Sequence, residues 1–417
     1  MSKRIVITCW GSHGDLFPYI GLALALKKRG HTPVIATMPL YQSNVEQEGI
    51  EYAAVGPTVD VTDLSLFERI MDPRRGSEVI IREMLLPKLR ETYDQLQRAA
   101  AGADFIVSHP ICYATPVFAE RERLPWVSST LAPMLFFSRT DPAVIPMLPR
   151  LQDIPLIGRW LSSKAPGLMR GVTREWMKPV AALRGELGMS PGAHPLFEGQ
   201  FSPRGTLALY SRVLATPQAD WPPNVMTTGC VFYNGPEGLD AKLEAFLAAG
   251  PPPVVFTLGT SAVGAAGRFY HESAAAMQQI GMRAVLLTGG IEQNKPDGPL
   301  PDSVLLVDRA PHQLLFPRAA AVVHQVGAGT LGQALRSGKP MLTVPHGHDQ
   351  FDNAFRVTKL GVARTVFPKE YTAARVAREL TLLLDAGYRR RAEEAAAVVR
   401  EEGGADAAAA AIETLLG

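Results

Sequence analysis

Two doubly wound α/β domains with a cleft between them are the fold class this sequence predicts, and three observations predict it. Short apolar strands alternate with amphipathic helices from the first residues, a stretch rich in Pro, Gly and Asn interrupts that alternation, and the alternation then begins again. Length agrees with this division. A chain of 417 residues exceeds the roughly 250–300 that one hydrophobic core serves.

The elements follow in order. Ile5-Val-Ile-Thr8 reads as a buried strand and Gly11-Ser-His-Gly-Asp15 as the turn after it. Tyr19–Lys28 is helical and stops at Gly30, and Val34–Thr37 is the second strand. Phe105–Ser108 and Trp126–Ser129 continue the same sheet. From about Phe136 to Met189 the pattern changes, because Pro146, Pro149, Pro155, Pro166 and Pro179 interrupt amphipathic pieces such as Leu156-Ile-Gly-Arg-Trp-Leu161. This segment is a helical insertion, read either as surface helices covering the sheet or as the wall of an apolar pocket. The first domain thus spans 1–216.

Residues 217–253, with Asp220-Trp-Pro-Pro-Asn-Val225 and Asn234-Gly-Pro-Glu-Gly238, are read as a linker. The second domain, 254–402, opens on the strand Val254–Leu258 and the turn Gly259-Thr260-Ser261. A helix near His271–Gln279 and the strands Ala284–Thr288, Val304–Val307, Ala321–His324 and Met341–Val344 complete it, before a C-terminal helix over 403–417. In open sheets of this kind ligands bind beyond the carboxyl ends of the strands.

Composition excludes several functions. Forty-two Lys and Arg against 40 Asp and Glu, without a long block of one sign, argue against a nucleic-acid partner. Arg389-Arg390-Arg391 is followed by Glu393 and Glu394 and reads as a solvated helix face. Three widely spaced cysteines, Cys9, Cys112 and Cys230, fit a reducing cytoplasm. No apolar run reaches the roughly 18 residues of a membrane span, and the N-terminus lacks a signal-peptide core. Peripheral membrane contact stays open, as does monomer against homodimer.

One loop carries chemistry on its face. After the apolar run ending at His324, Gly327, Gly329 and Gly332 form G-x-G-x-x-G and open a helix. Backbone N–H groups of Gly327, Ala328, Gly329 and Thr330 would point at an anion, with the helix dipole behind them. That spacing alone admits a nicotinamide site, another phosphate site, or a tight turn without ligand. The surroundings favour the second reading. His324 stands just ahead of the glycines, and Asp349-Gln350 lies past the next strand, where a carboxylate and an amide could grip hydroxyls.

These stretches together carry a family resemblance. Arg309-Ala-Pro-His-Gln313, His324-Gln-Val-Gly-Ala-Gly-Thr330, Gly338-Lys-Pro340 and Pro345-His-Gly-His-Asp-Gln350-Phe-Asp-Asn353 resemble the donor-binding signature of the GT-B nucleotide-sugar glycosyltransferases. Gly11-Ser-His-Gly-Asp-Leu-Phe-Pro18, Gly30-His31, Asp220-Trp-Pro222 and Phe256-Thr-Leu-Gly-Thr260 fit its bacterial members, which the antibiotic glycosyltransferases and the rhamnolipid rhamnosyltransferase exemplify. The resemblance spans both halves in order.

It implies two facing Rossmann-like domains and an inverting, metal-independent sugar transfer without cofactor. The donor would lie in the second domain: Ala310 and His312 beside the base, Arg309 where many relatives have a stacking aromatic, Thr260, His324, Gly327, Ala328, Gly329 and Thr330 at the diphosphate, and Asp349 and Gln350 at the sugar. An acceptor hydroxyl needs a base. Asp15 falls on the family's catalytic position with His13 as second candidate, although Asp15 would also serve as a helix cap. His109, Phe136 and Trp160 are candidates for acceptor contact, His109 being equally readable as an inert loop residue. The C-terminal helix would return to the first domain.

Two departures bear on the donor. Val326 stands where relatives usually have glycine, and Gly332 where many UDP-sugar enzymes have a ribose-binding glutamate. A deoxyribose needs no such glutamate, so dTDP-sugars such as dTDP-rhamnose are expected ahead of UDP-glucose. The apolar insertion points to a hydrophobic acceptor: a phenol or flavonoid, a polyketide or a hydroxy fatty acid. A nucleotide-sugar epimerase of the same architecture and a non-catalytic sugar-nucleotide binder are the alternatives.

Overall fold

The structure, a computed structural model, describes residues 1–60, 62–154, 156–236 and 238–416. Pro155 and Glu237, read above as part of the insertion and the linker, lie outside the described residues. By its internal contacts the chain divides into two units: residues 1–62, 74–233 and 402–417 form the first, and 63–73 with 234–401 form the second.

The first unit is built on seven strands: β1 (Arg4–Thr8), β2 (Thr32–Thr37), β3 (Glu51–Ala54), β4 (Phe105–Ser108), β5 (Trp126–Thr130), β6 (Thr206–Ala208) and β7 (Val225–Thr227), in the order β3-β2-β1-β4-β5-β6-β7. Every pair is parallel. The second has β8 (Val254–Thr257), β9 (Ala284–Leu287), β10 (Val304–Val307), β11 (Ala321–His324), β12 (Met341–Thr343) and β13 (Ala363–Thr365), ordered β10-β9-β8-β11-β12-β13 and again all parallel. Central strands such as β1, β4, β8 and β11 are apolar almost throughout because helices cover both faces. The helices that position the sites are α1 (His13–Lys28), α2 (Leu64–Ile70), α3 (Ile157–Trp176), α4 (Ala328–Ser337), α5 (Gln350–Lys359) and α6 (Gly404–Leu416).

Three features bear on the sequence reading. The stretch read as linker, 217–253, contains β7 and a helix over Ala241–Ala248 capped by Asp240. A three-residue strand is too short to show a period, and the prolines beside it dominate the pattern. Residues 63–73 leave the first unit's sequence to join the second: Met71 sits within the second unit's apolar core with Phe256, Leu258, Phe269 and Val344. Nothing local in the sequence signals this.

The third concerns the chain's end. α6 packs on α1 in the first unit, where Arg29 and His31 bond the Glu413 carboxylate at 2.7 and 3.2 Å. Ahead of it, Glu402 accepts from the Ser211 hydroxyl at 2.9 Å and the Arg212 N–H at 2.8 Å, anchoring the return.

Candidate functional site

In the first unit the turn after β1 builds a charged corner. Ser12 caps α1, with Asp15 at its third position: the Ser12 hydroxyl accepts from the Gly14 N–H, and Asp15 Oδ2 accepts from the Ser12 N–H at 2.7 Å and hydroxyl at 3.1 Å. Gly11, at φ +127°, is needed here, since a Cβ would collide with the Asp15 carboxylate. One carboxylate oxygen thus caps the helix. The other, Oδ1, stands 3.8 Å from His109 Nε2 at the end of β4. Capping and proton transfer are therefore compatible roles for one side chain.

Burial sets the charge states. It raises the Asp15 carboxyl from 3.8 to about 6 against the lowering effect of the Ser12 bonds, and drives His109 down to about 3. At neutral pH this gives an ionised carboxylate, more basic than usual, beside a neutral imidazole. The Tyr19 ring meets His109 edge-on, and its hydroxyl bonds Ser129 at 2.7 Å, holding the imidazole's wall. His13 is packed edge-on between Phe17 and Tyr41, at 5.3 and 4.9 Å between ring centres.

Phe136 and Trp160 are the other two acceptor candidates. Phe136 is buried, stacked on Trp221 at 4.2 Å and on Phe201 at 5.9 Å, which makes it a core residue and not a pocket wall. The apolar pattern could not distinguish the two, because both need a large ring. Trp160 projects from α3 at 60% exposure.

In the second unit the carboxyl ends of β8, β11 and β12 meet. His324 closes β11 fully buried; its Nδ1 accepts the Val326 N–H at 3.2 Å, so the proton sits on Nε2, which has no partner among the described residues. Burial, with His312 nearby, lowers His324 to about 3, and the imidazole is neutral. Gly327 is the N-cap of α4, whose first-turn N–H groups, on Ala328, Gly329 and Thr330, have no intrahelical acceptor. Gly259 follows β8 at φ +58°, and Thr260 comes next to it; a side chain at Gly259 would strike Gln325, and Thr330 Oγ1 lies 3.2 Å from that Cβ position. The two loops are neighbours. His312 stacks on Phe316 with ring centres 4.3 Å apart, Ala310 is half-buried and Arg309 is exposed.

Past β12, Asp349 accepts from Asn353 Nδ2 at 2.8 Å, and the same amide donates to the Val326 carbonyl at 3.0 Å. Gln350 departs from expectation. Its Oε1 accepts the His346 and Gly347 N–H groups at 2.8 and 3.3 Å, its Nε2 meets Met71 Sδ at 4.0 Å, and it is buried. A left-handed His348, φ +54°, turns the two amides onto it. Gln350 shapes the loop, leaving Asp349 as the half-buried polar group beside it. Gln325 and Asn353 were missed as residues that shape the site; a polar residue directly after an apolar strand is the signal for Gln325, and nothing local marks Asn353, which lies in α5.

Val326 takes φ +60°, a conformation a β-branched residue resists. Either truncation loses burial worth roughly 1.5–3 kcal/mol, but only glycine also relieves the backbone. Val326→Gly should therefore be more stable than Val326→Ala by about 1 kcal/mol, the reverse of their usual order. Urea unfolding of both variants checks this; alanine equal or better would remove the strain.

Two doubly wound sheets, each with its polar turn at the carboxyl ends, and a neutral histidine ahead of a glycine-rich helix start define the nucleotide-sugar glycosyltransferase class of the GT-B fold. Comparisons agree with that class. Residues 5–133 match the glycosyltransferase family 28 N-terminal domain, and 283–414 the erythromycin biosynthesis protein CIII-like C-terminal domain. The chain is 32% identical over 384 residues to O-mycaminosyltylonolide 6-deoxyallosyltransferase of Streptomyces fradiae, covering 90% of this chain and 87% of that one. Its fold matches the glycotransferase of kitacinnamycin with TM-score 0.73 at 21% identity over 100% and 99% of the two chains. It also matches spinosyn rhamnosyltransferase SpnG complexed with thymidine diphosphate at TM-score 0.68, 19% identity and full coverage of both. The chain belongs to the bacterial GT-B glycosyltransferases of natural-product biosynthesis.

Proposed function

We propose that this glycosyltransferase moves a sugar from a dTDP-sugar to a hydroxyl of a hydrophobic small molecule, inverting the anomeric carbon, with Asp15 as base. The observation that carries the donor assignment is the Nε2–H of neutral His324, without a partner among the described residues, beside the first-turn N–H groups of α4, which have no intrahelical acceptor. Those donors suit a diphosphate and stabilise the charge that grows on it as it leaves. No metal is then required. Asp349 serves the sugar, and His312 on Phe316 borders the base. His109 faces the second oxygen of Asp15, a positioning role in this reading.

The preference for thymidine rests on Gly332 and on what surrounds it. Gly332 is buried within α4, and the adjacent Gln333 accepts from Arg336 at 2.8 Å, so its amide oxygen is already engaged. Neither offers the carboxylate that a ribose 2′-hydroxyl would seek. SpnG, complexed with thymidine diphosphate, is consistent with this reading. Thermal-shift titration with UDP-glucose, dTDP-glucose and dTDP-rhamnose tests it. A donor at about 100 times its Kd adds roughly 2.7 kcal/mol to stability, and the dTDP donors should reach that at lower concentration. Equal shifts for UDP and dTDP donors would sink the preference.

A further inference from the structure

Helix α3 is seated inside out. Its buried residues are Gly158, Ser162 and Thr173, small or polar, and a Cβ at Gly158 would collide with the Leu151 carbonyl, so the seat admits glycine alone. Its large apolar residues face away. Leu156, just before the helix, is 84% exposed, Ile157 and Trp160 60%, Leu168 74% and Val172 55%. Met147, Leu148 and Ile154, on the approach, are exposed as well; among the described residues, the other large hydrophobics so exposed are Leu161 and Met169 of α3 itself, Met1, Leu314 and Leu382. The spacing 157, 160, 161, 168, 172 puts these side chains on one stripe of the helix.

Charge on this helix is mostly of one sign. Arg159, Lys164, Arg170 and Arg174 lie along α3 with Glu175 as its one acid, and Lys164 stands over the Trp160 ring at 5.7 Å. By its spacing Lys164 lies within the stripe and Arg159, Arg170 and Arg174 lie to one side of it; Arg170 is partnered by Glu198, which leaves Lys164, Arg159 and Arg174 to give the helix its positive field. From Ile157 to Val172 the stripe runs about 22 Å at 1.5 Å per residue. That is longer than a small acceptor, and small-molecule sites enclose most of their ligand in a concavity. A protein partner would suit an apolar stripe equally but gives no reason for a helix charge mostly of one sign.

We propose that α3 is a membrane-docking helix that lies in the interface of a bilayer containing anionic lipid. Trp160, Leu168 and Val172 would enter the headgroup and acyl boundary while the basic residues stay among the phosphates, the arrangement of interfacial amphipathic helices. This is independent of the donor assignment. It would bring an enzyme with no membrane-spanning helix among its described residues to the phase where hydrophobic acceptors accumulate.

Co-sedimentation of the purified chain with phosphatidylcholine vesicles, with and without about one quarter phosphatidylserine, tests it. Wild type should partition at least about tenfold more strongly onto the anionic vesicles, and about 1 M salt, which shrinks the screening length to about 3 Å, should remove that difference. Leu168→Glu with Val172→Glu should abolish binding to both vesicles at unchanged Tm, and Lys164→Glu should weaken only the anionic preference. Absence of binding by wild type overturns the proposal, as does equal binding to both vesicles. A concentration-dependent dimer that Leu168→Glu dissolves, without vesicle binding, would assign the stripe to a second copy instead. If the double variant does not fold, the wild-type comparison of vesicles and salt still decides.

Discussion

Asp15→Asn is expected to reduce sugar transfer by about 10²–10⁴, the range a positioned base contributes, while the protein stays folded. Asparagine keeps an oxygen to accept from the Ser12 N–H, so the start of α1 survives and only the basic oxygen facing His109 is lost. The pH dependence makes the expectation specific. With the carboxyl raised to about 6, kcat/KM should fall tenfold per pH unit below about 6, where an ordinary carboxylate would hold its rate to about 4. Stability moves the other way. A carboxyl raised on folding contributes favourably below about 4, and that contribution is lost as pH climbs through about 6. At pH 7.5 Asp15→Asn should thus be at least as stable as wild type, a gain of stability at the expense of activity. Wild-type transfer by the variant, or an acid limb near 4, would assign the base elsewhere, with His13 next in line.

Replacing His324 should cost about 10²–10³ in kcat, the usual loss of one preorganised donor to a developing charge. Two substitutions separate chemistry from structure. Asparagine can place its oxygen where Nδ1 accepts the Val326 N–H and offers nothing at Nε2; glutamine reaches the Nε2 position and abandons Val326. His324→Asn should keep Tm near wild type and lose the rate, and His324→Gln should keep more of the rate at lower Tm. Because burial holds the imidazole near 3, it stays neutral from about pH 4 upwards and adds no limb to the profile near 6.5. Transfer should also persist in excess EDTA, the outcome expected if His324 and the α4 amides do the work a divalent ion does in other enzymes. A wild-type rate for His324→Asn would remove the histidine from the reaction.

Much of the fold and of the placing of the candidate residues is legible in the sequence. Ala321–His324 and Phe105–Ser108 were read to the residue, because buried parallel strands are apolar runs bounded by turn residues. Asp15, His324 and the glycines were legible for the same reason: strand ends and helix starts are set by neighbours in sequence, and those are where α/β folds keep their polar groups. The strained Val326 was visible as a residue out of place, although its φ was not.

What stayed hidden depends on partners distant in sequence. Gln350 reads as a sugar ligand until Met71, 279 positions away, is seen against it. Phe136 reads as a pocket wall until Trp221 stacks on it. The apolar face of α3 was legible as amphipathic, but periodicity states only that a face is apolar and not whether protein or solvent meets it. The sequence by itself determined the two α/β domains and the glycine-rich turn that opens a helix, and it put forward Asp15 and His324 as candidates, all properties of local order. Only the tertiary structure decided which way Gln350 turned, that residues 63–73 serve the second unit, and that α3 shows its greasy side to solvent. These are choices among packing partners, which local pattern leaves open and the chain settles when non-local contacts form.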